Sequence, residues 1–399
     1  MKHFSFETPE RLGKIFYKQP ESFTKYSDKE VLSYMIGATL YMPATKESIA
    51  QDVITKKFQE LVSMVIDLED AIGDNQLDEA EALLVKHLET IYFALANDII
   101  TIDDLPLIFV RVRNPEQLKR INSKIGIYNK VLTGYVFPKF SYKNAEEFLQ
   151  ILDDINTEDT ILYAMPILES TEFIYKEDRL ASLMKTKEIL DAYSKYILNI
   201  RVGCTDFCGL YGIRRNVDTT IYDVSVIRDC LADIINVFNR QEDSYVISGP
   251  VWEYFSKEER ILKPQLRVSP FEYRHGNYGV KKRKELLNEF LDGLINEVIL
   301  DKLNGIIGKT IIHPTHIKPV HALYTVTHEE YMDAVSIVNN AEGNVGVLKS
   351  QYANKMNEIK PHYYWAKRIL LRAKAFGVYN EHEDYTSLII EDVKIKSRE

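Results

Sequence analysis

The chain has 399 residues and carries 50 Lys and Arg against 59 Asp and Glu, a formal charge of -9 at pH 7. This acidic balance argues against the phosphate backbone of a nucleic acid as partner, and 45% hydrophobic with 27% charged residues describes a globular protein rather than a disordered or collagen-like one. No stretch reaches the roughly 20 apolar residues that span a bilayer, and the N-terminus, with His3, Glu7, Glu10 and Arg11, lacks a signal-peptide core, so no membrane partner and a cytoplasmic location are expected.

Along the chain, a segment rich in Phe and Tyr (Phe4, Phe6, Phe16, Tyr17, Phe23, Tyr26) comes first and predicts an arm over residues 1–35 packed on the domain that follows. Eight short apolar or β-branched runs come next: Gly37 to Tyr41, Ser63 to Leu68, Leu107 to Val112, Gly134 to Phe137, Leu162 to Leu168, Ile197 to Gly203, Tyr245 to Ser248 and Ile306 to Ile312. Amphipathic stretches lie between most of them, namely Ser48 to Leu61, Asp78 to Ala96, Ala145 to Leu152, Arg179 to Tyr193 and Val224 to Phe238. Strands apolar at nearly every position are buried on both faces, as in a parallel sheet under helices. Eight of them predict an α/β fold closed into a (β/α)₈ TIM barrel over residues 36–325, where an open doubly wound sheet would more often stop at five or six. After the last run, Glu329 to Asn340 and Tyr364 to Phe376 have helical spacing and predict a C-terminal helical extension, 326–399, as lid or subunit contact. The basic run Lys281-Lys282-Arg283-Lys284 ahead of Leu286 to Val298 reads as a solvated face or helix start. Cys204, Cys208 and Cys230 are too few and too close for a disulfide framework and lack the second Cys or His pair of a zinc site, so they are expected to be reduced and packed.

In such a barrel the catalytic groups project from the C-terminal ends of the strands, and charged residues collect there. The second run ends in Asp67-Leu68-Glu69-Asp70, the third in Arg111-Val112-Arg113-Asn114, the fourth in Pro138-Lys139 and the fifth in Glu169-Ser170. The sixth ends in Gly203-Cys204-Thr205-Asp206, the seventh in Gly249 to Glu253 and the eighth in His313-Pro314. Carboxylates on neighbouring strands without His or Cys beside them are hard oxygen donors, suited to Mg²⁺ with Mn²⁺ serving in its place, and Glu169 and Asp206 fit best. A cation held by two carboxylates keeps positions open for a chelating 2-oxo or 2-hydroxy acid, and Arg111 would face the substrate carboxylate or a developing enolate. The bland alternative for Arg111 is a salt bridge to Asp67 or Glu69, which is compatible with that role. His313 before Pro314 reads slightly better as structural than as a base, and Gly308-Lys309 lacks the upstream glycines of a phosphate loop.

In this order the motifs resemble the citrate lyase β-subunit and malyl-thioester lyase family, grouped with the HpcH/HpaI aldolases. Asp67-Leu68-Glu69-Asp70-Ala71 is similar to its second-strand acidic motif and Val110-Arg111-Val112 with Asn114 to its arginine motif. Pro138-Lys139, Leu168-Glu169-Ser170, Gly203 with Asp206, and Gly308-Lys309 followed by Ile312-His313-Pro314 fall where later signatures stand, with an echo in Lys355-Met356-Asn357-Glu358 and Lys360-Pro361-His362. The resemblance implies Mg²⁺ on Glu169 and Asp206, substrate on Arg111, a homo-oligomer (trimer or hexamer), and an acid lent by a neighbour's tail, here Glu358. The aromatic arm, the longer Gly209 to Asp223 loop and an insertion from Glu253 to about Arg283 set the chain apart from the short subunits; it is most similar to a divergent citrate-lyase-like branch associated with bacterial tellurite-resistance and stress gene clusters.

The implied activity is Mg²⁺-dependent aldol-type cleavage or condensation of a small carboxylate substrate, a 2-oxo or 2-hydroxy acid or its thioester, with Asp67, Glu69, Asp70 or a neighbour's Glu358 as the proton acceptor. The alternatives are a thioester hydrolase or enolate-type transferase on the same metal platform, and a non-catalytic barrel acting as scaffold in a multi-protein complex.

Overall fold

In the computed structural model, residues 1–158, 160–241, 243–255, 276–279, 289–341, 346–352 and 354–389 are described. Runs without a polar side satisfy their backbone groups only in a sheet covered on both faces. They do so here as eight parallel strands: β1 (Ala38–Pro43), β2 (Ser63–Asp67), β3 (Leu107–Arg111), β4 (Gly134–Phe137), β5 (Tyr163–Leu168), β6 (Ile200–Val202), β7 (Ile247–Trp252) and β8 (Lys309–Ile311). The strands pair in chain order, and β8 returns to β1 through Ala38 opposite Lys309, closing the expected barrel. The register between β7 and β8 shifts between Gly249 and Trp252, around Pro250, whose missing N–H cannot continue a ladder.

The crossovers are helical. Leu77–Ala96 buries Ala80, Leu84, Leu88 and Ile91 along one stripe, and Pro115–Ile125 starts where the Asn114 side chain accepts the Gln117 N–H and Pro115 occupies the first turn. Ala145–Ile155, Arg179–Ala192 and Ser225–Phe238 match the expected amphipathic stretches. The stretch predicted from Ser48 to Leu61 is helical only over Ile49–Ile54, and Lys56 beyond it turns to φ 52°. All three cysteines are free and buried, as expected.

The aromatic arm packs under the strand N-termini, with Phe4, Phe16 and Phe23 buried in the same core as the barrel. His3 is fully enclosed there: its Nε2 lies 3.0 Å from the Met35 carbonyl, and its ring meets His321 edge-on at 4.3 Å. Nε2 of His321 accepts the Ala38 N–H at 3.0 Å, where β1 begins. Gly37 precedes it at φ 55°, and a Cβ there would stand 2.7 Å from that nitrogen, so the position needs glycine on two grounds. The strand Phe16–Lys18 pairs antiparallel with Val378–Tyr379, clasping the arm to the end of the tail.

The extension contains His328–Asn339 and Ile359–Phe376, which enclose a second, small apolar cluster including Ala334, Ile337, Ala366 and Ile369. The polar segment between them holds an antiparallel pair, Val347–Lys349 with Met356–Glu358. The Lys281 to Lys284 run and most of the Glu253 to Arg283 insertion lie outside the described residues.

Candidate active site at the barrel mouth

A cavity of about 460 Å³ opens at the C-terminal ends of the strands, bordered by Asp67, Asp70, Arg111, Glu169, Asp206 and Glu253. Asp67 and Arg111 stand opposite each other in the β2–β3 register. Arg111 donates from Nε to Asp67 Oδ1 at 2.7 Å and from Nη2 to Oδ2 at 2.6 Å, a two-pronged pair. Its Nη1 reaches Glu69 at 2.9 Å and Asp70 at 3.2 Å. Four of the roughly five N–H donors of a guanidinium are thus directed at this acidic motif. Burial alone would lower the Arg111 pKa, but the bonds and charge of Asp67 raise it above its ordinary value.

The carboxylate of Asp67 also accepts the backbone N–H groups of Glu69 (3.0 Å) and Ala71 (3.2 Å), so its lone pairs are taken up in holding Arg111. Glu69 is enclosed as well, accepting Lys139 Nζ and the Asp70 N–H. Burial raises its pKa against the pull of Arg111 and Lys139. Asp70 differs, with 54% of its side chain exposed. Burial pushes its pKa up, yet Arg111 and its other neighbours hold it below the usual carboxylate range.

Glu169 follows β5, and Asp206 lies in the first turn of the helix Cys204–Leu210 that follows β6. Glu169 is 4% exposed. One oxygen accepts the Lys139 backbone N–H at 2.8 Å, presented from a turn in which Lys139 adopts φ 47°. Burial and then the charge of Asp206 push the Glu169 pKa up to about 8, and burial and Asp70 raise that of Asp206. Two carboxylates driven toward sharing a proton are a donor set short of positive charge. Among the described residues no cluster of three or more His, Cys, Asp or Glu side chains is arranged around an ion, and a pair of carboxylates is what Mg²⁺ commonly takes, filling its other positions with water and substrate. The residues therefore fit the metal. Gly203 leaves the room that the Glu169 side chain occupies, because a Cβ there would fall 2.0 Å from Glu169 Oε2.

The remaining predicted residues lie at the rim or beyond it. Glu253 accepts the Thr205 hydroxyl at 2.6 Å on the mouth's rim. His313 bonds Thr315 at 2.8 Å and stacks on Phe255 at 4.7 Å, in keeping with the structural reading. Glu358 stands exposed on the tail hairpin and does not border the cavity of its own chain.

Sequence reasoning missed two features. Behind β7 and β8, Lys309 is fully buried between Glu297 and Asp301, each at 2.7 Å. Arg215 also bonds Glu297, and Tyr222 bonds Asp301 at 2.8 Å, so the Gly209 to Asp223 loop is fastened to the helix Glu289–Leu303. The second is Arg201 on β6, inside the barrel below the acids. Its only signal was one charge in an otherwise uncharged run, visible once alternation along β6 is known to turn that position inward.

A family model described as a C-C bond lyase of the TIM-barrel fold matches residues 30–378. Among solved structures, CitE from Mycobacterium tuberculosis in complex with magnesium, acetoacetate and coenzyme A aligns at 14% identity and a TM-score of 0.51, covering 86% of this chain and 99% of that one. RipC from Yersinia pestis aligns at 15% identity and 0.45, covering 75% and 99%. Comparison with curated proteins gave no match. At these identities the structural likeness speaks for the fold alone.

Proposed function

The chain belongs to the C-C bond lyase family of the TIM-barrel fold, and from that premise we propose that it catalyses aldol-type cleavage or condensation of a small 2-oxo or 2-hydroxy acid, or its thioester, at the carbon-carbon bond one carbon removed from a carbonyl, with Mg²⁺ held by Glu169 and Asp206. The observation that carries this reading is the enclosed carboxylate pair, whose pKa values are raised by burial and by neighbouring acid charge, beside a locked guanidinium in one cavity. The M. tuberculosis CitE structure holds magnesium.

Bound Mg²⁺ would supply Lewis acidity toward a chelating oxo acid. The chain's own groups do the rest. Glu169, positioned by the Lys139 N–H, and Asp206 would hold the cation. Arg111, fixed by Asp67, presents preorganised positive charge where an enolate develops, and a site that excludes water makes that charge more effective. Asp67 and Glu69 serve as positioning residues, because their oxygens are engaged. Asp70 is the more accessible proton acceptor: it borders the cavity, and half of its side chain is exposed. Glu358 would enter only from a neighbouring copy in a homo-oligomer.

The test is calorimetric titration of Mg²⁺ into wild type and Glu169→Gln, followed by product analysis with oxo acids. Wild type is expected to bind Mg²⁺, the variant at least about tenfold more weakly, and a ketone or aldehyde product is expected to accumulate. Hydrolysis without such a product would replace the lyase reading by the hydrolase one, and equal Mg²⁺ affinities would remove the metal from these residues.

A further inference from the structure

Arg201 lies inside the barrel with 1% of its surface exposed, and it borders the cavity at a level below Glu169 and Asp206. Buried arginines are ordinarily paired with carboxylates, and the other arginine of this cavity, Arg111, meets three. Among the described residues Arg201 meets none. Its Nη2 donates to the Thr310 hydroxyl at 2.6 Å and its Nη1 to the Thr39 hydroxyl at 3.3 Å, with the Met165 sulfur at 3.9 Å. The Tyr41 ring lies between the two guanidiniums, 5.6 Å from Arg201 and 5.3 Å from Arg111. Its Nε has no partner. Every contact is neutral, the side chain is held by hydroxyls on two strands, and one donor is left over.

A permanently charged group in such surroundings is costly to bury. The core shows what a structural cation looks like in the same protein: Lys309, equally buried, sits between two carboxylates. The acids at the rim cannot play that part for Arg201, because Asp67, Glu69 and Asp70 are bonded to Arg111, and Glu169 and Asp206 form the metal pair. The counter-charge is therefore left for whatever enters the cavity.

We infer that Arg201 is a specificity-determining residue, the floor anchor for a second anionic group on the substrate, so that the preferred substrate is an acid with one end at the rim and a carboxylate or comparable anion at the other. This rests on the reading of the cavity as the lyase site. It assigns the far end of the substrate to a residue other than Arg111, whose donors are already directed at the acidic motif. It also orients the substrate: an anion drawn to the floor leaves the oxo end at the rim beside Glu169, Asp206 and Asp70.

The test uses 2-oxobutyrate and oxaloacetate, which differ at one end by methyl against carboxylate. Their binding in the presence of Mg²⁺ is measured by calorimetry on wild type, Arg201→Met and Arg201→Lys, each with a thermal unfolding scan. Wild type is expected to favour the diacid by about tenfold or more, as for loss of a charged hydrogen bond. Arg201→Met should abolish that preference while its affinity for Mg²⁺ alone and for 2-oxobutyrate stays within twofold, and it should unfold no earlier than wild type, since an unpaired buried charge is gone. Arg201→Lys, which keeps the charge without the fork, should retain part of the preference and carries the test if the Met variant does not fold. The inference is overturned if wild type shows no preference, if the preference survives in both variants, or if neither acid binds. Mg²⁺ binding in the absence of any acid reports separately on the metal pair, so failure of that reading is seen independently.

Discussion

Gly203→Ala isolates the close contact against Glu169, one of the two proposed metal ligands. The Gly203 backbone lies at φ -97° and ψ 76°, open to any L-residue, so the substitution acts through the added methyl alone. That carbon would fall 2.0 Å from Glu169 Oε2 and 2.6 Å from Glu169 Cβ, well inside the closest approach that Cβ atoms show. The carboxylate must withdraw by about 1 Å, a displacement that can lower a rate by about 100-fold when it affects a positioned group. Its bond to the Lys139 N–H, now 2.8 Å, is strained by the same movement. Overpacking of this kind costs about 1–3 kcal/mol in stability. Calorimetry should therefore show Mg²⁺ affinity reduced by about 10- to 100-fold in a protein that still unfolds cooperatively. Shortening the displaced side chain should help: Glu169→Asp combined with Gly203→Ala is expected to bind Mg²⁺ better than the two single losses would add up to. Wild-type affinity in Gly203→Ala, with circular dichroism unchanged, would refute the geometry on which the metal assignment rests.

The His3 and His321 pair should make the fold acid-sensitive. Burial depresses the His3 pKa to about 3 and that of His321 well below its usual value, while the unfolded chain titrates near 6.5. The unfolded state binds the protons first as pH falls, so the stability held above about pH 6.5 is lost toward about pH 3, reaching about 2 kcal/mol for His3 alone near pH 5. Urea midpoints measured against pH should fall less steeply in His3→Gln, and equal slopes would dismiss the role. Lys309→Met leaves Asp301 without a cation and Glu297 with Arg215 alone, and is expected to cost about 3–5 kcal/mol in urea unfolding; a loss below about 1 kcal/mol would mean that Arg215 and Tyr222 suffice for both acids.

The barrel was legible because strands buried on both faces leave a simple trace, apolar at nearly every position, and each of the eight runs contains or overlaps a barrel strand. Helices with few apolar residues were harder. Pro115–Ile125 is mostly polar, and its signal lay in the Asn114-Pro115 start and in only three apolar residues, Leu118, Ile121 and Ile125, at helical spacing. In the hairpin at Val347–Lys349 and Met356–Glu358 burial alternates, but apolar Val347 and Met356 face outward while Asn357 is buried, so the residue types do not report it. In the candidate site, the acids and Arg111 were found because they follow strands, where charge is conspicuous. Arg201 lies within one, and whether a charge inside a strand faces the lumen or the helices depends on a register that only closure defines. The lock of Arg111 by Asp67 was named as an alternative; that it occupies most of the guanidinium is a matter of distances.

The clasp beneath the barrel couples the history of the chain to its shape. Phe16–Lys18 leaves the ribosome early, yet the strand it pairs with, Val378–Tyr379, is among the last described segments to follow. Through synthesis of everything between them, the arm's edge has no partner and its aromatic side chains no complete cover. Contacts so distant in sequence also form late in refolding, because closing the intervening loop removes entropy before any bond compensates. Until Val378 and Tyr379 are in place, the Phe16–Lys18 strand is an unpaired edge.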